Sequence, residues 1–486
     1  MNMEESKLKP AIVFDCFAAV NRIPRPSNKE EKMMAFLMDY GKKLGLETLM
    51  DQTGNVLIRK PATKGYEHLS TTVIQSHMDM VCEKIAGLDF DFEKDPIETV
   101  VEGDWMHAKG TTLGADDGIG VAMEMALLAD DSIEHGPIEC LFTRAEETSL
   151  GGASGIKPGF MTGKYLLNLD SEDEGLIFIS CAGGANTNAA FDVEYEPAPA
   201  DGFFFKIQVE GLTGGHSGDD IEKKRANANK LLFRLLYRFM KKYDVRLADV
   251  QSGGLHNAIP RDGYAVCSVP SKYKEDVRVD FNVMTSEFEE EYFATEKNMK
   301  FSLESVPPAE KVIRKDIGDR LIKAIIAVPN GVFAMSQDIK DFVETSSNLA
   351  SIRLKGDKIK IETMQRSNLT SKRLAACDAV SSVFDLAGAK VDVNTGYPGW
   401  HLDPSSPLLK IAVDAYERLF KHKPEVRAIH AGLECGLFSE KYPEMDMISF
   451  GPTLRGVHSP DERLLIPTVE KVWDHLKEIL RNIPAG

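Results

Sequence analysis

Cysteine is scarce here: seven residues among 486, standing singly, with no C-x-x-C pair. An odd, dispersed set excludes a disulfide framework and fits reduced thiols in a cytoplasmic setting. Long apolar runs are missing too, so no segment reaches the roughly 20 residues of a membrane span. The opening stretch "MNMEESKLKPAIVFDCF" lacks the basic and apolar regions of a secretory leader. Positive charge is in deficit, with 58 Lys and Arg against 75 Asp and Glu, a formal charge of −17. That balance excludes nucleic acid and anionic membrane as main partners, and most of it serves plain solubility. What remains is a chain 43% hydrophobic, long enough for two or three domains.

Up to about residue 185, helical patterns alternate with short apolar strands. "IVFDCFAAVNRI" and "KEEKMMAFLMDYGKKLGL" carry helical spacing, and Gly45 marks a stop. "TTVIQS", "IECLFTR" and "YLLNLD" read as buried strands, with "GIGVAMEMALLAD" as a helix between them. This rhythm predicts an α/β fold, with a mixed or mostly parallel sheet flanked by helices. The acidic, proline-rich "EYEPAPADG" marks a boundary. Beyond it lie "FFFKIQVEG" and the helix "ANANKLLFRLLYRFMKKY". A second strand–strand–helix unit follows, "LASIRLKGDKIKIETMQR" and "SKRLAACDAVSSVFDLAG". The expectation is a catalytic domain in two parts, 1–186 and 397–486. Between them sits an inserted α+β lid, 187–396, built of two halves.

Four acid- or His-bearing segments each sit just past a predicted strand: "SHMDM", "AEE", "NLDSE" and "RGVHSPDE"; a fifth, "GADDGIG", opens a helix. Ligand sites of open α/β sheets lie outside the carboxyl ends of the strands. Convergence there gathers His77, Asp79, Asp116, Asp117, Glu146, Glu147, Asp170 and His458. Mixed imidazole and carboxylate donors suit Zn²⁺, with Co²⁺ or Mn²⁺ as substitutes. Taken singly each has a bland reading, a helix cap for the Asp pair and a solvated turn for the Glu pair. Joint placement is what favours a site, together with the His-x-Asp pair, in which Asp79 can orient a neighbouring ligand.

In order along the chain, "SHMDMV", "GADDGIG", "RAEETSLGGASG", "NLDSE", "GLTGGHSG" and "GVHSPDE" resemble the M20 metallopeptidases, and among them the bacterial aminoacyl-histidine dipeptidases. The resemblance runs over essentially the whole chain. It implies a two-metal site in which His77 and Asp170 hold one cation, Glu147 and His458 the other, and Asp116 bridges. An unusual cis peptide at Asp116–Asp117 is implied as well. Metal chemistry then gives the reaction: two close cations acidify a shared water, which attacks the peptide carbonyl. By resemblance Glu146 is the general base. Two adjacent side chains leaving a strand point in different directions, so Glu147 is expected to face the metals and Glu146 the water. Cys82 has no evident base partner and reads as a small buried residue.

In the insert, the resemblance gives His216 of "GLTGGHSG" as donor to the developing oxyanion, in cis or from a second copy joined through the lid. Asn257, Arg366 and Gly432 are implied at the substrate carboxylate, Arg366 having the best chemical case. Glu434 is a second-rank candidate for the substrate amino group. The expected function is a cytoplasmic, two-metal dipeptidase acting on small peptides of the Xaa-His class, β-alanyl-histidine included. The alternatives are an N-acyl amino acid amidohydrolase with the same site, or a catalytically silent metal-binding scaffold.

Overall fold

Thr72–His77, Ile138–Thr143 and Tyr165–Asn168 are buried along their whole length. Strands without a polar face need cover on both sides, and that requirement shapes the first part of the molecule. The computed structural model describes residues 8–337, 339, 341–401 and 405–486. The stretch read for a leader begins in residues 1–7, which lie outside the described residues. The chain divides into two units. The first comprises residues up to Ser180 with Trp400–Ala428 and Leu433–Gly486; the second comprises Cys181–Gly399 with Ile429–Gly432.

The first unit carries a mixed eight-stranded sheet. Its order is Glu47–Met50, Val56–Lys60, Ile138–Thr143, Thr72–His77, Tyr165–Asn168, Asp446–Ser449, Leu176–Cys181, Glu425–Ile429. The four central members, from Ile138–Thr143 to Asp446–Ser449, run parallel. Their carboxyl ends therefore open on one edge, and "MDM", "RAEE" and "LDSE" all begin there. Helices Ala11–Val20, Ala115–Ala129, Pro407–Phe420 and Ile466–Arg481 bury their apolar faces in the same core as the sheet. This is the helix-flanked mixed sheet that the strand–helix rhythm predicts.

Nine strands of the second unit form one antiparallel sheet, and two short pairs, Tyr195–Pro197 with Lys311–Ile313 and Gly215–His216 with Ala258–Ile259, stand apart from it. Eight run in the order Lys300–Ser305, Gly202–Glu210, Gly263–Pro270, Arg246–Gly253, Val343–Lys355, Lys358–Ser367, Gly183–Asp192, Lys390–Val393; Gly331–Met335 pairs with Val343–Lys355. Both α+β halves read from the sequence contribute to this single sheet. Helix Ala228–Lys242 buries Leu231, Leu232, Leu235, Leu236 and Phe239, and the Asn227 side chain caps its start by accepting from Lys230 N. Phe205, Phe288, Phe384 and the helix Lys315–Ala327 complete this core.

One polar group inside the first core sets an acid limit on stability. His475 is 3% exposed, and its Nε2 lies 2.8 Å from Ala412 O against the edges of Tyr416 and Phe450. Burial pushes it down from 6.5 to about 4. The unfolded chain therefore binds a proton that the fold refuses, and stability present above pH 6.5 is lost as pH falls toward 4. The contribution is about 3 kcal/mol. Calorimetric melting across this window should show a shallower pH dependence for His475→Gln than for the wild type. Equal slopes would refute the assignment.

Candidate active site

Each presumptive ligand arrives from a different element of the first unit. His77 ends the strand Thr72–His77, Asp170 follows Tyr165–Asn168, and Asp116 sits in the first turn of Ala115–Ala129. His458 comes from the loop after Leu454–Arg455, with a left-handed backbone of φ 60°. The structure brings them together around Asp116. Its Oδ1 lies 3.1 Å from His77 Nε2, which is 3.7 Å from Asp170 Oδ1. Its Oδ2 lies 3.1 Å from His458 Nε2, which is 2.9 Å from Glu147 Oε2. Two donor triads, His77–Asp116–Asp170 and Asp116–Glu147–His458, thus share one carboxylate, each with ligand atoms within 4.8 Å of one another. The Asp116–Asp117 peptide is cis. Asp117 turns away, its Oδ1 accepting from Gly120 N at 3.1 Å.

The glutamate pair departs from the expected geometry. The strand stops at Thr143, and Glu146–Ser149 forms a single helical turn entered through Ala145 at φ 51°. Neighbours on a helix diverge by roughly 100°, rather than alternating across a strand. The divergence still separates the two side chains: Glu147 meets His458, while Glu146 falls in a third grouping with His77 and Glu147. Asp79, fully buried, holds the turn. Its oxygens accept from Glu146 N at 3.1 Å, Glu147 N at 3.3 Å and Ser27 Oγ at 2.7 Å, and Oδ1 lies 3.5 Å from His77 Nδ1.

This concentration of carboxylates has an electrostatic signature. Burial, then the charges of Glu147, Glu434 and Asp116, push Glu146 well above the carboxylate range, with His77 acting against them. Burial raises Asp170 strongly, and burial with Asp116 raises Glu147. Burial opposes ionisation of Asp116 too, but the imidazoles of His458 and His77 hold it below the ordinary range. Hydrogen bonds that its ring donates to the carboxylates of Asp116 and Glu147 raise His458 to about 11. Crowded buried anions need positive charge, and Glu147 Oε1 has no hydrogen-bond partner among the described residues. The donor set therefore fits two divalent cations, three N or O ligands each with Asp116 shared.

The second unit assembles its own cluster. Arg366, 3% exposed, donates from Nη1 to Tyr397 OH at 2.9 Å, and from Nε and Nη2 to Ser217 Oγ at 3.3 Å. Among the described residues its partners are all neutral, and a buried guanidinium without a counter-ion is a carboxylate receptor. His216 Nδ1 accepts from Gly218 N and Asp219 N, which leaves the proton on Nε2. That Nε2 lies 3.3 Å from Arg366 Nη2, so two donors face each other and an anion belongs beside them. Asn257 sits in the exposed turn before Ala258–Ile259, which pairs with Gly215–His216, and its carbonyl accepts from Ser217 N at 2.8 Å. Gly432 can offer only its backbone groups. A Cβ there would lie 2.7 Å from the Tyr397 ring, so its bareness makes room for the tyrosine that holds Arg366.

Residues 73–482 match the model of Peptidase family M20/M25/M40. The chain belongs to this family. Over 482 residues, 99% of both chains, this M20 chain is 40% identical to the cytosol non-specific dipeptidase of Escherichia coli (strain K12). It superposes on the aminoacylhistidine dipeptidase from Vibrio alginolyticus with a TM-score of 0.90 and 41% identity, covering 100% of this chain and 99% of that one. The aminopeptidase PepT from Bacillus cereus ATCC 10987 shares the fold at 16% identity and a TM-score of 0.57, over 98% of this chain and 99% of that one.

Several supports of this M20 site escape the sequence reading. Glu30, fully buried, accepts from Ala145 N at 3.0 Å and pairs with Arg144 at 2.8 Å, holding the turn that carries Glu146. It reads as part of a solvated "KEEK" run, and only the proline-broken "PRPS" before it signals an anchored loop. Glu434, which the sequence reading does name, as a second-rank candidate for the substrate amino group, is fully buried. Its Oε2 accepts from Gln75 Nε2 and Thr143 Oγ1, each at 2.6 Å, while burial pushes it up to about 7. Asn168 also donates to Gln75, at 2.7 Å, so three central strands are tied together just before their ligands. Since Asp116 serves both triads, Asp116→Asn should weaken both cation sites beyond the ~10–100-fold typical of losing an outer partner, and Glu147→Gln only one. Isothermal titration of the metal-free protein with Mn²⁺ measures this; one unaffected site in Asp116→Asn would refute the shared-carboxylate geometry.

Proposed function

We propose that this chain is a metal-dependent dipeptidase of the Xaa-His class, with Glu146 as general base. The observation that carries the reading is the single carboxylate, Asp116, facing two imidazole–carboxylate pairs with a further carboxylate, Glu146, alongside. The two dipeptidases named above match it over nearly their whole lengths, and one of them is an aminoacylhistidine dipeptidase. Zinc is the first choice of metal, with cobalt or manganese as substitutes. A cytoplasmic setting is proposed from the cytosolic relative; among the described residues no helix is long and apolar enough to cross a membrane.

The ligands in this proposal are His77, Asp116, Glu147, Asp170 and His458. Two divalent ions bound there supply Lewis acidity toward the scissile carbonyl and toward water. The protein's own groups do the rest. Glu146, raised by burial and by neighbouring carboxylates, takes the proton of the attacking water and returns it to the departing amine. Asp79 keeps the Glu146–Glu147 turn in register through both backbone N–H groups and steadies His77. His216 donates from Nε2 to the oxyanion, and Arg366, steadied by Tyr397 and Ser217, takes the terminal carboxylate. Asn257 stands at the rim of that cluster.

Glu146→Gln should lower kcat by about 10²–10⁴-fold with both cations still bound; turnover at the wild-type rate would defeat the base assignment. Arg366→Lys should weaken kcat/KM for free dipeptides by roughly 10–100-fold while leaving C-terminally amidated analogues unchanged. A panel of Xaa-His dipeptides, tripeptides and N-acetyl amino acids checks the substrate class. N-acetyl amino acids hydrolysed faster than dipeptides would establish an amidohydrolase, and metal binding with no turnover on any substrate would establish a silent scaffold.

A further inference from the structure

The segments that carry Asp116 and His458, 342 positions apart, are locked together by a carboxylate that is itself no ligand. Glu462 lies four residues beyond His458 and is 2% exposed. Its Oε2 accepts from Leu113 N at 2.7 Å and Gly114 N at 2.9 Å, and its Oε1 from Ala115 N at 2.8 Å and Asp116 N at 3.3 Å. One side chain thus satisfies four successive backbone donors leading into the helix that begins with Asp116. From the other side Arg25, 1% exposed, donates from Nη2 to Gly114 O at 2.7 Å. The turn between them needs glycine at this point, because a Cβ on Gly114 (φ 66°) would lie 2.6 Å from Arg25 Nη2. On its own loop, Glu462 N donates to Ser459 O at 3.1 Å and Ser459 Oγ to Gly456 O at 2.7 Å, which fixes the path from His458 to the clamp.

We infer that Glu462, backed by Arg25, is a positioning residue that sets the spacing between Asp116 and His458 and thereby the cation affinity of the site. The inference rests on the reading of Asp116 and His458 as ligands. A carboxylate suits the task because its two oxygens offer enough lone pairs for four N–H groups. The amide of a glutamine would point an NH₂ group at two of those donors. The turn must then rotate or lose hydrogen bonds, and Asp116 moves with it; Leu113 and Ala115 of that turn also belong to the first core, so binding and melting are read separately.

The test titrates metal-free wild type, Glu462→Gln and Asp116→Asn with Mn²⁺ by calorimetry, alongside their melting temperatures in chelator. Glu462→Gln is expected to bind Mn²⁺ about 10–100-fold more weakly, with kcat recovering as Mn²⁺ is raised. If Glu462→Gln does not fold, Glu462→Asp, which keeps the charge but withdraws it by one methylene, carries the same measurement and the same expectation. A lowered melting temperature with wild-type Mn²⁺ affinity would mean a purely structural role and would overturn the inference. Undiminished binding by Asp116→Asn would instead overturn the ligand reading on which it rests.

Discussion

Burying several carboxylates beside one another is the constraint around which the first unit is organised. Asp116, Asp117, Glu146, Glu147 and Asp170 are drawn to one edge of the parallel centre of a mixed sheet, where each raises the cost of ionising the next. Such a cluster is tolerable only with compensating positive charge, which two imidazoles supply in part and divalent cations supply in full. The sheet makes the crowding unavoidable. Four parallel strands end on the same side, so the residues after them have nowhere else to go.

Holding that arrangement takes a second set of acids that touch no imidazole ligand. Glu30 grips the Ala145 turn, Glu462 grips the Leu113–Asp116 turn, and Glu434 ties Gln75 to Thr143. Each uses charge to satisfy donors that the protein interior would otherwise leave unpaired. The second unit applies the same physics with opposite sign. Arg366 is buried among neutral partners beside a donating imidazole, a locus of positive potential suited to an anion.

Much of this was legible in the chain before any coordinates. Apolar runs such as "TVIQS" announced strands, and the His and acidic residues beyond them announced donors, because both are local properties of composition. The five proposed ligands fall within the structure's two donor triads, and the mixed sheet follows from the strand–helix rhythm. Other features were opaque for a physical reason. Glu30 and Glu31 are adjacent and identical in type, yet one is fully buried and the other exposed, which depends on a loop more than a hundred residues away. Nothing near Gly432 in the chain predicts that the Tyr397 ring fills the space a side chain would take there. The glutamate pair was expected to leave a strand and instead rides a helical turn.

By itself the sequence determined which donors exist, in what order, and at which strand ends they emerge. Those facts are carried by residue type and by apolar periodicity over a few positions. Only the tertiary structure decided which acids are buried as clamps, which are left to solvent, and that the glutamate pair rides a helical turn instead of a strand end. Leu113 and Glu462 are 349 positions apart, and no local pattern encodes a hydrogen bond formed across that distance. It exists because strand Arg463–Leu465 pairs with Trp105–Ala108 and brings the two loops together, where buried N–H groups must find an acceptor.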